Sequence, residues 1–132
     1  MNQYVYSETP ASNSFVALPP DGSTVIRYDQ FVHKLLKQDT QDMMILHCAM
    51  GLAGEVGELI DALKKHIFYM KPLDHENVVE ELGDIRFYLQ GLCNILAIKE
   101  QEILQHNATK LSTRYKNLTY SNQAAIERAD KS

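Results

Sequence analysis

The sequence predicts an all-α fold of four to five helices packed as a bundle, and three observations predict it. From Ile26 onward apolar residues recur at three- and four-residue steps, the period of an amphipathic helix. Two-residue alternation, the mark of a half-buried strand, is almost absent, and there is no internal repeat. Capping and helix-breaking residues stand where the periodic stretches stop, which leaves segments of helical length joined by short loops.

Residues 1–25 read as an extended arm, because Pro10, Pro19, Pro20 and Gly22 stand there among Ser, Thr and Asn. The first helix carries Tyr28, Phe31, Val32, Leu35 and Leu36 and is expected to end near Lys37. Asp39 and Thr40 can cap the second, which carries Met43, Leu46, Met50, Ala53, Val56, Ile60, Leu63 and Ile67 and runs to about residue 69. Pro72 closes it, having a fixed φ and no N–H to donate. A third helix is expected from about 74 to 97 and a fourth from about 99 to 115. The tail from 117 to 132 holds a short helical candidate near 122–129. Residues 26–116 are thus expected to form the helical domain.

The second helix is apolar on more than one side and includes Gly51, Gly54 and Gly57, each costing about 1 kcal/mol against alanine in a helix interior. Small residues there allow a close helix approach or leave room for a ligand. Such broad apolar faces predict pairing with further copies, as a homodimer or homotetramer.

A chain of 132 residues with 45% hydrophobic and 23% charged residues is ordinary for a globular domain. Its net charge of -4 argues against binding a nucleic acid polymer, whose phosphates call for a basic excess. It does not argue against a nucleotide, because a divalent metal reverses the local sign of a carboxylate site. No run of apolar residues suggests a membrane span, and the first residues lack the basic-then-apolar order of a signal peptide. Cys48 and Cys93 belong to no CxxC pair and read as reduced buried thiols, so a cytoplasmic setting is expected.

The informative residues are Glu55 and Glu58 on the second helix and Glu81 and Asp84 on the third. Each pair is spaced i, i+3, so both carboxylates share a face one turn apart, where like charges repel. Their neighbours Leu52, Ala53, Val56, Leu59, Leu82 and Ile85 are apolar or small, which predicts carboxylates projecting from core-building helices. Buried carboxylates are costly unless paired or bound to a metal. Four of them suit a hard cation such as Mg²⁺, which takes oxygen ligands and substrate phosphates; an ion-pair network with Lys64, Lys65 and Arg86 is the alternative. On the fourth helix Asn107, Lys110 and Arg114 share a second face, suited to outer phosphates or simply to solvent. Tyr88, one turn after Asp84, can stack on a sugar or base or pack in the core. All five histidines fail the Glu-x-x-His spacing of di-iron bundles, so that class is set aside.

The run Leu52-Ala-Gly-Glu-Val-Gly-Glu-Leu59, then Lys64-Lys65, then Glu81-Leu-Gly-Asp-Ile-Arg-Phe-Tyr88 resembles the MazG-like nucleotide pyrophosphohydrolases. So does Asn107-Ala-Thr-Lys-Leu-Ser-Thr-Arg-Tyr115. The resemblance implies Mg²⁺-dependent hydrolysis of a nucleoside triphosphate, expected to be a dNTP, between its α- and β-phosphates, with Mn²⁺ as a substitute metal. It implies Glu55, Glu58, Glu81 and Asp84 as catalytic metal ligands. Asn107, Lys110, Arg114 and Lys64 or Lys65 would lie near phosphates, Tyr88 near the sugar, and Ile45, Leu46, His47 or Met50 near the base. Several relatives carry an extra Glu where this chain has Gly54, so water activation here is expected to fall to another group such as Glu58 or Glu80. Nucleotide-pool cleaning or adjustment is the implied role. A catalytically silent helical oligomer that binds nucleotides or a protein partner is the rival reading.

Overall fold

The computed structural model describes residues 4–6 and 14–131, which fall into two compact units, one ending at Ala97 and one beginning at Ile98. The first unit opens with two short antiparallel strands, β1 (Phe15–Leu18) and β2 (Thr24–Arg27), in the register Phe15 to Arg27 and Leu18 to Thr24. The expected arm is therefore partly paired, and the fold is not free of strand. Gly22 turns the chain at φ +74°, and the Asp21 carboxylate accepts from the backbone N–H and the hydroxyl of Ser23. The rest of the arm lies outside the described residues, except residues 4–6.

Helix α1 spans Tyr28–Leu35, two residues shorter than expected, because Leu36 turns extended while its N–H still donates to the Val32 carbonyl. Helix α2 runs Gln41–Ile67, with the Thr40 hydroxyl accepting from Met43 N–H as the predicted cap. Helix α3 runs His75–Leu96, capped by the Asp74 carboxylate on Asn77 N–H and ended by Ala97 in the left-handed region. Cys48 faces Gly91 and Gly51 faces Tyr88, so α2 and α3 run antiparallel and form the main packing pair of this unit. Tyr4, Leu36, Met44, Cys48 and Ile95 form its buried cluster.

A polar chain crosses this core. Asp29 is fully buried, and its carboxylate takes a two-pronged ion pair from Arg27 and the Tyr6 hydroxyl at 3.0 Å. The Asp29 carbonyl accepts from the Asn94 amide at 2.9 Å, and Asn94 in turn accepts from Gln90 at 3.0 Å. Asp29, Asn94 and Gln90 thereby each keep a hydrogen-bond partner in place of water.

The second unit consists of α4 (Glu100–Arg114), a 3₁₀ turn at Lys116–Leu118, α5 (Asn122–Glu127) and a closing 3₁₀ turn at Ala129–Lys131. The Ser121 hydroxyl caps α5 by accepting from Ala124 N–H. None of these four elements has a fully buried residue.

One expectation is corrected by α2. By length and composition it is apolar enough to cross a membrane, the stretch from Met43 to Ile60 carrying only Glu55 and Glu58 as charges. Here it packs against α3, which accounts for part of that apolar surface.

The glycines of α2 serve different ends. A methyl group at Gly51 would run into the ring of Tyr88, whereas one at Gly54 or Gly57 would meet nothing within 4 Å. Gly51→Ala is therefore expected to displace the Tyr88 ring and cost about 1–3 kcal/mol. Gly54→Ala is expected to stabilise by about 1 kcal/mol through helix propensity. Urea midpoints of the two variants measure both. A destabilising Gly54→Ala would mean that a second molecule packs on that face.

Candidate functional site

Because α2 and α3 run antiparallel with Gly51 against Tyr88, the motif of one helix comes beside the motif of the other. Glu55, Glu81 and Asp84 each offer a carboxylate oxygen within 4.8 Å of the other two. Glu58 stands outside this trio, although its charge acts on Glu81. The trio is less buried than the apolar neighbours predicted: Glu55 and Glu81 are half-buried, Glu58 and Asp84 exposed. Flanking Val56 and Leu82 are themselves exposed, so this face of the helix pair is open.

The electrostatics of the cluster are unbalanced. Loss of hydration pushes the Glu81 carboxyl above its ordinary value, and a hydrogen bond with Glu55 plus the charges of Glu55, Glu58 and Asp84 push it further the same way. Burial and three neighbouring carboxylates thus act in the same direction on Glu81. Hard oxygen donors this close suit a divalent cation such as Mg²⁺, which would relieve the repulsion. Tyr28 of α1 lies near the same cluster: burial raises its phenol, while Arg86 lowers and Asp84 raises it. The sequence marks Tyr28 only as a helix-period residue.

The other predicted residues of the first unit stand at separate places along α2 and α3. Tyr88 lies against Gly51, with its ring 6.0 Å from that of His47 and edge-on to Phe87 at 5.4 Å. His47, Leu46 and Met50 are exposed on α2, and Ile45 is half-buried. Lys65 pairs with Asp61 at 2.9 Å on the surface, and Lys64 lies 5.5 Å over the Tyr69 ring. Both cations therefore have local partners near the end of α2.

Asn107, Lys110 and Arg114 lie on α4 in the second unit, Asn107 exposed and the other two half-buried. Arg114 is not an open phosphate contact. It holds Asp130 through two bonds, one of 3.0 Å, and Asp130 is drawn below the usual carboxylate range by that guanidinium. The pair ties the closing turn to α4. In the double-mutant cycle of Arg114→Ala and Asp130→Ala, a coupling of about 0.5–3 kcal/mol in unfolding free energy is expected. Additive losses would show that the clasp contributes nothing.

The comparisons bear on this geometry. A family model, the MazG nucleotide pyrophosphohydrolase domain, matches residues 45–119, more than half of the chain and all four motif carboxylates. The chain belongs to the MazG family. It is also similar to the "Gene 37 protein" of Mycobacterium phage L5, with 31% identity over 72 residues, covering 52% of this chain and 63% of that protein. The match thus spans less than two thirds of that relative's length. No solved structure matches the chain. The family match covers α2 almost from its start, α3, α4 and the first 3₁₀ turn, so every MazG motif carboxylate sits on an element described above.

Proposed function

We propose that this MazG protein hydrolyses a nucleoside triphosphate, in the first instance a deoxynucleotide, to the monophosphate and pyrophosphate. The observation that carries the reading is the convergence of Glu55, Glu81 and Asp84 within 4.8 Å on two antiparallel helices inside the family match. The reaction consumes one water, breaks the α–β anhydride bond and releases a proton with the two products. A bound Mg²⁺, or Mn²⁺ in its place, supplies a Lewis acid for the phosphate oxygens and lowers the pKa of a water.

Glu55, Glu81 and Asp84 hold the metal. Glu58, one turn from Glu55 and outside the trio, either completes the ligand set or takes the water's proton. The Asn107 amide and Lys110 ammonium have the chemistry to bind outer phosphates and stabilise leaving pyrophosphate. Tyr88 packs over Gly51, which stands between His47 and Glu55 on α2, a position suited to the sugar. Exposed Leu46, Met50, Ile60 and Ile67 support assembly as a homodimer or homotetramer, since so much apolar surface on one helix favours burial against a second copy. Cys48 and Cys93 are buried thiols, in keeping with a reducing, cytoplasmic setting and a role in adjusting nucleotide pools.

The test is pyrophosphate release from a panel of canonical and modified NTPs and dNTPs, with Mg²⁺ and with chelator. Release of pyrophosphate and monophosphate only with metal is the expected outcome. No release from any nucleotide would replace the enzyme with a silent nucleotide-binding oligomer.

A further inference from the structure

Residues 4–6 of the arm are docked on the first unit, and His33 of α1 is where both of their tyrosines meet it. The Tyr6 ring stacks on the imidazole, with 4.0 Å between centres and 11° between planes. The Tyr4 ring meets the same imidazole edge-on at 5.9 Å. Tyr6 is also held by its hydroxyl, which donates to Asp29 at 3.0 Å. Tyr4 is buried in the cluster of Leu36, Met44, Cys48 and Ile95, whereas Val5 between the two tyrosines is exposed.

This grip is finely balanced. The Tyr4 hydroxyl and His33 Nδ1 are buried and have no hydrogen-bond partner among the described residues. An unpaired buried hydroxyl offsets part of what the Tyr4 ring gains by leaving water. For the imidazole the cost depends on its charge. A neutral ring protonated on Nε2 leaves only a lone pair at Nδ1, but the imidazolium must place an N–H there with nothing to accept it. Burial, then the Lys34 ammonium beside it, hold His33 below the ordinary histidine value of 6.5. The Tyr6 ring face attracts a cation, but that gain is smaller than the cost of a charged N–H left dry.

The surroundings do not rescue the imidazolium. Burial pushes the Tyr4 phenol up to about 12, so it stays neutral, and burial raises the Tyr6 phenol as well. Asp29, one turn before His33, is the one acid in this set, and Arg27 of β2 and Tyr6 already occupy its carboxylate. From α3 the near groups are Asn94 and Gln90, which do not titrate. From α2 it is Cys48, in the cluster with Tyr4, whose thiol is raised by burial.

The geometry points to a pH-operated strap, in which neutral His33 keeps residues 4–6 docked and protonated His33 releases them. The strap does not depend on the nucleotide reading. Docking is complete above the ordinary value of 6.5 and weakens as pH falls from there through the lowered one. One proton taken up on release weakens it by up to about tenfold per pH unit. Release draws Tyr4 out of the buried cluster and takes the Tyr6 hydroxyl from Asp29, the residue that ties α1 to α3 through Asn94.

The test is NMR of the full chain titrated from about pH 8 to about pH 5, the range that spans a histidine's charge change. It reads the His33 ring protons together with the ring contacts of Tyr4 and Tyr6. The Tyr6 contact with His33 and the Tyr4 contacts with the cluster are expected at the upper end and fade together below 6.5, along the curve on which His33 titrates. His33→Phe keeps a ring for Tyr6 to stack on but takes up no proton, so its arm is expected to stay docked throughout. Tyr4→Ala weakens the grip, and by the reciprocity of linkage His33 should then titrate closer to 6.5. Arm contacts of the wild type that persist to the acid end, or that vanish at the same pH in His33→Phe, would overturn the inference. So would a His33 midpoint at or above 6.5, or one that Tyr4→Ala leaves where it was.

Discussion

In the proposed hydrolysis, Asp84→Ala and Glu81→Gln are each expected to lower pyrophosphate release in Mg²⁺ by at least about a hundredfold, with helix content and molecular size in solution unchanged. Removing one group that stabilises developing charge typically costs that much. The two readouts of Glu81→Gln should move in opposite directions. Glu81 stands above the ordinary glutamate value of 4.5 because of burial and its acidic neighbours, so its ionised form works against the metal-free fold. An acid whose folded pKa is raised binds its proton more tightly in the folded state. Metal-free stability therefore falls as pH rises from the ordinary value through the raised one.

Glu81→Gln is expected to flatten that slope and raise the metal-free melting temperature at neutral pH. Mg²⁺ is expected to raise the melting temperature of the wild type, and Glu81→Gln to abolish that gain. Melting curves with Mg²⁺ and with chelator, at several pH values, separate these effects. A variant that keeps near-normal turnover, or a wild type whose melting temperature ignores Mg²⁺, would sink the metal assignment.

Asp29→Ala is expected to be the most destabilising single change in the first unit. It strands the Arg27 guanidinium and removes the acceptor of the Tyr6 hydroxyl, and breaking a buried ion pair costs about 3–5 kcal/mol. In a domain of this size that corresponds to a fall of about 10–20 °C in melting temperature. Urea denaturation of Asp29→Ala beside Asp29→Asn measures it, with the asparagine expected to lose less because it retains an acceptor. A loss below about 1 kcal/mol in the alanine variant would mean that the pair adds nothing to the core.

The helices of this MazG protein were legible because their signals are local. Thr40, one of the two predicted caps, holds the start of α2, α3 begins at the expected place, and Pro72 lies in the loop between them. The hairpin was not legible: its strands are four residues each, too short to establish alternation, and Pro19 and Pro20 between them read as breakers. Asp29 looked like any acidic residue in a first helical turn. Its burial depends on Asn94, far along the chain, and on Tyr6 of the arm. Arg114 read as a phosphate donor because its face is shared with Lys110; the Asp130 that occupies it stands on a separate turn.

The sequence by itself determined the helical period, the caps, the i, i+3 carboxylate pairs and the family. Each of these depends on neighbours within a turn or on an ordered set of motifs. Only the tertiary structure decided that Glu55, Glu81 and Asp84 meet while Glu58 stays apart. It also decided that Asp29 is buried and that Tyr4 and Tyr6 pack on His33. Those outcomes follow from how α2 crosses α3 and where the arm lands. Such placement is set by the packing of side chains far apart in sequence, to which no local pattern is sensitive.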